Sequence, residues 1–298
     1  MTRLFQSQCD APPRSFIRLA CFLVTLLLPL ATITSGQGKT PGESNKPSSS
    51  RLSSRVKLDF DLYLEGRYVY ERNCIDCHGP RGDGQGELGV KLHPRPRSFR
   101  KGLFKFRSTP PGTLPTEADL VRTIRGGLSG TDMGMFTNIR DNDLRAVIEY
   151  IKYFSPRWRR AENYAEPLAF PPPPEWLEQT TQREEHAIVG GQLFQEFCAS
   201  CHGPDADGDG IALADIIDEW GKPVRASDLR QPYLRCGPNP ADIYRVLATG
   251  LDGSLMVSFE DTLAPEQRWD IIAYLSTLKL PEQRTLGAAP ASSLILKD

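Results

Sequence analysis

The sequence predicts an all-α chain built as two tandem helical domains joined by a Pro-rich linker. Three observations predict it. The second half repeats the first at a nearly constant offset, the apolar residues of each copy fall at helical spacing, and no stretch alternates polar and apolar residues as a half-buried strand requires. At 298 residues the chain is long enough for about two ordinary domains. Gly and Pro, 25 each, point to loop-rich domains and extended connectors. The net charge of -1, from 36 basic and 37 acidic residues, provides no basic field for phosphate backbones, so nucleic acid is not an expected partner. Four His, four Met and seven Cys are scarce enough for their placement to carry information.

Residues 1–36 place Arg3, Arg14 and Arg18 before an apolar run, Leu19 to Ile33, followed by Thr34, Ser35 and Gly36; this is the layout of a secretory signal peptide. The run of 15 residues includes Pro29 and falls short of the ~20 needed to span a bilayer. A cleaved signal and a periplasmic chain are therefore expected, with membrane association only if the segment is retained. Cys21 precedes the apolar core, which argues against a lipid-attachment cysteine. Residues 37–56 are too polar to bury anything and are expected to form a disordered leader. The first domain is placed at 57–155 and the second at 183–280, with a tail at 281–298. Between the domains, residues 156–182 include four consecutive prolines, Pro171 to Pro174, and read as a semi-rigid spacer.

CIDCHGPRGDGQG, Cys74 to Gly86, matches CASCHGPDADGDG, Cys198 to Gly210, at an offset of 124. Upstream, Gly66 and Tyr70 fall on Gly190 and Phe194. Downstream, Asp119 to Phe136 falls on Asp242 to Phe259 at offset 123, and Tyr150 falls on Tyr274 at 124. Within each copy the pattern reads helix, long loop, short helix, loop, helix. A first helix over Leu58 to Asn73 runs into the Cys cluster. Thr116 and Asp119 form a capping box for a short helix that stops at Gly126 and Gly127. Asp141 caps a third helix with the stripe Leu144, Val147, Ile148 and Ile151. In the second copy Asn239 and Pro240 start the short helix, Gly250 ends it, and Pro265 opens a last helix that buries Trp269, Ile272 and Leu275.

Cys74, Cys77 and His78, and again Cys198, Cys201 and His202, put two thiols and an imidazole within just over one helical turn. That spacing suits two thioether bonds to haem vinyl groups with the adjacent His as an axial iron ligand. A thioredoxin-like pair has no reason to be followed by His twice. Paired zinc knuckles sit about 12 to 20 residues apart rather than more than a hundred. A disulfide across two residues would be strained and leaves the His unexplained. Two covalently bound haem c groups are expected. For the sixth ligand, Met256 is the only Met of the second copy and falls in register on Met133, each three residues before a Phe; Met135 is then a packing residue.

Other features are weaker. Asp205, Asp207 and Asp209 imitate the start of a calcium loop, but its twelfth position is Ile216 rather than Glu. His93 and His186 lack counterparts in the other copy and read as exposed. Cys236 reads as a buried free thiol, with an intermolecular disulfide as the alternative. Arg95, Arg97, Arg100, Lys101, Lys105 and Arg107 read as a solvated loop, or as partners for haem propionates or an acidic surface.

Taken together, the Gly and aromatic pairs Gly66/Tyr70 and Gly190/Phe194, the two CxxCH clusters, a Met in a Gly-led loop and a last helix bearing Tyr150 or Tyr274 resemble class I c-type cytochromes over about two thirds of the chain. The sequence departs from the family where Gly134 and Val257 follow the Met residues in place of the frequent Pro. The resemblance implies a diheme electron-transfer protein working between redox protein partners in a respiratory chain. An enzyme of the diheme peroxidase or thiosulfate-oxidising type is the alternative. FKFRSTPPGTLPTEADL and DIYRVLATGLDGSLM are similar to segments of diheme cytochromes that accompany periplasmic molybdenum oxidoreductases of the ethylbenzene dehydrogenase type.

Overall fold

The computed structural model describes residues 55–279. The expected signal segment, all but the end of the leader, and the tail lie outside the described residues. The first copy contains α1 (Phe60–Asn73), α2 (Ile75–His78), α3 (Glu117–Gly126) and α4 (Asp141–Tyr153). The second contains α5 (Thr180–Phe197), α6 (Ala199–His202), α7 (Pro240–Thr249) and α8 (Pro265–Thr277). Among the described residues there is no strand, only isolated bridges. No described helix is long and apolar enough to cross a membrane.

At α1 and α3 a short polar side chain satisfies free amides of the first turn. Asp59, rather than the expected Leu58, sets the start of α1: its carboxylate accepts from the Asp61 and Leu62 amides at 3.0 and 3.1 Å. Thr116 and Asp119 form the expected box, with the two reciprocal bonds at 3.1 and 3.0 Å. Asp242 accepts from the Asn239 amide at 3.2 Å in the matching place. Asp141 differs from expectation. It is the first helical residue of α4, and its carboxylate pairs with Arg125 at 2.6 Å instead of capping.

In each copy the first helix crosses the last, α1 against α4 and α5 against α8. The crossings rest on Gly66 and Gly190, where a Cβ would overlap the carbonyl of Ala146 or Asp270. Tyr70, Leu144, Ile148 and Trp158 belong to the first core; Phe194, Tyr244, Trp269 and Ile272 belong to the second.

The Pro-rich segment is more than a spacer. Trp158 at its start is 2% exposed in the first core, and Leu177 near its end is 5% exposed in the second. Between them, the Leu168 amide donates to the Ser108 carbonyl at 2.9 Å, while Phe170 packs edge-on to Tyr244 at 6.3 Å. The prolines forbid helix, but the interspersed aromatic residues supply enough apolar surface to bind both copies. Arg107 adds a buried tie. Its guanidinium donates to the Thr249 carbonyl at 2.7 Å and pairs with Asp252 at 3.0 Å.

Candidate functional site

Each Cys cluster forms because a long helix stops one residue early. The Cys74 amide still donates to Tyr70 at 2.9 Å, after which the chain re-enters a single turn with His78 N–H bonded to the Cys74 carbonyl at 2.8 Å. The second copy repeats both bonds, Cys198 to Phe194 and His202 to Cys198, at 2.9 Å. None of the four cysteines forms a disulfide. Burial pushes the Cys74 thiol up to about 12 and the Cys198 thiol up to about 11, with the neighbouring cysteine adding to each. A thioredoxin-like pair depends on the opposite shift.

The imidazoles are oriented from behind. His78 Nδ1 donates to the Arg97 carbonyl at 3.3 Å and His202 Nδ1 to the Ser227 carbonyl at 3.2 Å. A carbonyl can only accept, so Nδ1 carries the proton and Nε2 keeps its lone pair. Burial lowers both imidazole pKa values, favouring the neutral form that ligates metals.

The two Met loops share three pairs of hydrogen bonds. After α3 the Leu128 amide donates to the Met133 carbonyl at 2.9 Å, and after α7 Leu251 donates to Met256 at 3.0 Å. The Phe136 and Phe259 amides return to Ile124 and Leu247 at 3.2 and 2.9 Å. Thr131 Oγ1 accepts from the Met133 amide at 3.2 Å, and Ser254 Oγ accepts from Met256 at 3.3 Å. Both loops turn on a left-handed glycine, Gly127 at φ 61° and Gly250 at φ 65°.

Two cavities result. Cys74, Cys77, His78 and Met133 line one of about 220 Å³; Cys198, Cys201, His202 and Met256 line the other, of about 250 Å³. Met135 is outside the first cavity and 71% exposed. The walls are largely apolar, including Leu120, Ile124 and Ile151 in the first and Leu247, Ile271 and Leu275 in the second. Two thiols, a neutral imidazole and a thioether around an apolar chamber fit haem c.

Several remaining candidates resolve differently from the sequence reading. His186 is not free at the surface: α5 reaches back to Thr180 and brings its ring onto Trp176 at 3.6 Å, with Nδ1 2.6 Å from Asp270 Oδ1. His93 is exposed. Asp209 pairs with Arg225, and no cluster of three or more metal-ligating His, Cys, Asp or Glu forms among the described residues. Cys236 lines the second cavity, where burial pushes its thiol up to about 11. The basic cluster divides. Arg107 is buried, Lys101 pairs with Glu219 at 2.8 Å, Arg95 lies over Trp220 at 4.4 Å, and Arg97 and Lys105 line the first cavity. Sequence reasoning missed Phe99, whose ring stacks on His78 at 4.5 Å, and Arg235, which lines both cavities; neither has a signature in the repeat.

Two family models match the chain: "Cytochrome c" over residues 188–279 and "Cytochrome C oxidase, cbb3-type, subunit III" over residues 61–151. Among solved structures, a chain of the reducing HAO-like protein complex of Kuenenia stuttgartiensis is 31% identical, with a TM-score of 0.66 over 76% of this chain and 100% of that one. Cytochrome CL from the marine methylotroph Methylophaga aminisulfidivorans is 18% identical, over 38% of this chain and 73% of its own, with a TM-score of 0.26. No curated protein matches significantly.

Proposed function

Because this chain belongs to the c-type cytochromes, with two cytochrome c domains in tandem, we propose that it is an exported diheme carrier in which His78 and Met133 hold one iron and His202 and Met256 the other. The observation that carries this reading is the set of hydrogen bonds shared by the two Met loops, with each Met lining the same largely apolar cavity as a CxxCH imidazole. Haem c in each cavity supplies a one-electron couple. Cys74, Cys77, Cys198 and Cys201 provide the tethering thiols. The carbonyls of Arg97 and Ser227 fix the tautomer that aims Nε2 forward. With haem bound, His78 and His202 would supply imidazole and Met133 and Met256 thioether, a pairing that would raise the potential and leave no site for peroxide or oxygen. The apolar walls exclude water, which limits reorganisation as charge changes.

For partners, the 31% identity to a chain from a multi-protein redox complex supports a protein donor or acceptor rather than a small substrate. The segments FKFRSTPPGTLPTEADL and DIYRVLATGLDGSLM support a periplasmic molybdenum oxidoreductase as one such partner. The carrier reading is tested on the holoprotein by spin state and peroxide turnover. A low-spin resting protein, inert to peroxide and reduced in one-electron steps, is expected. Steady-state peroxide turnover together with a high-spin resting signal would overturn it in favour of a diheme peroxidase.

A further inference from the structure

The two cavities are not separate rooms. Lys105, Phe106 and Arg235 line both. Lys105 and Phe106 belong to the first domain and Arg235 to the second, so the shared wall is assembled only when the domains meet. Its charge is unusual. Burial and the neighbouring Arg97 and Arg235 push Lys105 down to about 8. Arg97 also lines the first cavity, and burial lowers it too. Among the described residues, no salt bridge compensates Lys105 or Arg235, although Lys101 and Arg107 beside them have acidic partners. Arg97 and Lys105 are half-buried and Arg235 is exposed, so three like charges gather at one wall with no acidic side chain among them, a place that favours an anion.

We propose that Lys105 and Arg235 are shared counter-charges for the propionate carboxylates of both haems, tying the two redox sites into one electrostatic unit. This rests on the diheme reading above. Propionates are the only anionic groups a haem brings, and among the described residues Lys105 and Arg235 are the only cations common to the two chambers. A cation here favours the reduced, less positive state of either iron. Both irons therefore feel each residue, even though each residue lies in only one domain. The half-buried Phe106 lines both cavities beside Lys105 and Arg235.

The test is potentiometric titration of the holoprotein and of Lys105→Gln and Arg235→Gln, each resolved into two one-electron components. Both midpoint potentials are expected to fall in each variant. Lys105→Arg and Arg235→Lys, which keep the charge, are expected to hold both near the wild-type values; a merely structural role would not produce that rescue. A fall confined to one component in each neutral variant would overturn sharing, as would unchanged potentials. Haem content after denaturation separates the two claims. Fewer than two covalent haems in the wild-type chain would sink the diheme reading itself, whereas two haems with single-component shifts would sink only the shared wall.

Discussion

The two domains agree in the backbone of the CxxCH turn and the Met loop and differ in what surrounds it. The carbonyl behind each imidazole shows how. From CxxCH the two copies run at an offset of 124, yet Arg97 corresponds to Ser227 and Phe99 to Leu229, an offset of 130, before the register returns to 123 at Asp119 and Asp242. The second domain therefore has a longer stretch before the carbonyl, and the first a longer stretch after it. Both additions build the contact between domains: Glu219 and Trp220 from one meet Lys101 and Arg95, and Arg107 from the other meets Thr249 and Asp252. The walls differ as well. In the first domain Tyr70 Oη donates to the Gly79 carbonyl at 2.8 Å, and Phe99 and Phe154 surround His78 and Tyr70; the corresponding positions are Phe194, Leu229 and Leu278. The two copies keep the backbone of the CxxCH turn and the Met loop, while loop length and side-chain type fit one copy to the other.

The comparison breaks most readily at the join. Arg107→Ala leaves Asp252 without its buried partner, and loss of one member of such a pair costs about 3–5 kcal/mol. Chemical denaturation followed at both haem sites is expected to split from one transition into two. A single transition with unchanged midpoint would show that Arg107 does not join the domains.

A smaller effect probes the walls. Gly82 adopts φ 60°, and a Cβ there would lie 2.7 Å from the Phe154 ring, whereas Ala206 occupies the matching place in the second domain at φ 58°. Gly82→Ala is expected to cost about 1–3 kcal/mol through overpacking, with most of the loss recovered in Gly82→Ala with Phe154→Leu. Equal losses in the single and double variants would place the strain in the backbone alone.

The mildest change converts one wall toward the other. Phe99→Leu removes the stacked ring behind His78, a contact of about 0.5–1.5 kcal/mol. Thermal unfolding should shift slightly downward, with both haem sites retaining their spectra. A change in axial ligation would mean that Phe99, and not the Arg97 carbonyl, sets the orientation of His78.

What was legible in the sequence was what depends on local backbone. The CxxCH turns, the Thr116 and Asn239 starts and the Met register follow from residue type and short spacing, so the repeat exposes them directly. The join was hidden for a physical reason. The two length differences nearly cancel, so an offset that moves from 124 to 123 looked undisturbed while both contact loops had grown. Arg107 with Asp252 and His186 with Asp270 are single pairs far apart in the chain, with no periodicity to announce them. Asp141 shows the same limit on a small scale: its composition suits a cap, but a distant Arg125 claims its carboxylate.

The central claim, two equivalent His/Met sites, is tested most directly by absorption spectroscopy of the ferric holoprotein beside Met133→Ala, Met256→Ala and Met135→Ala. The Met-to-iron charge-transfer band is expected to lose about half its intensity in each of the first two variants, to vanish when they are combined, and to persist in Met135→Ala. A full band in either Met133→Ala or Met256→Ala would contradict the equivalence of the two sites.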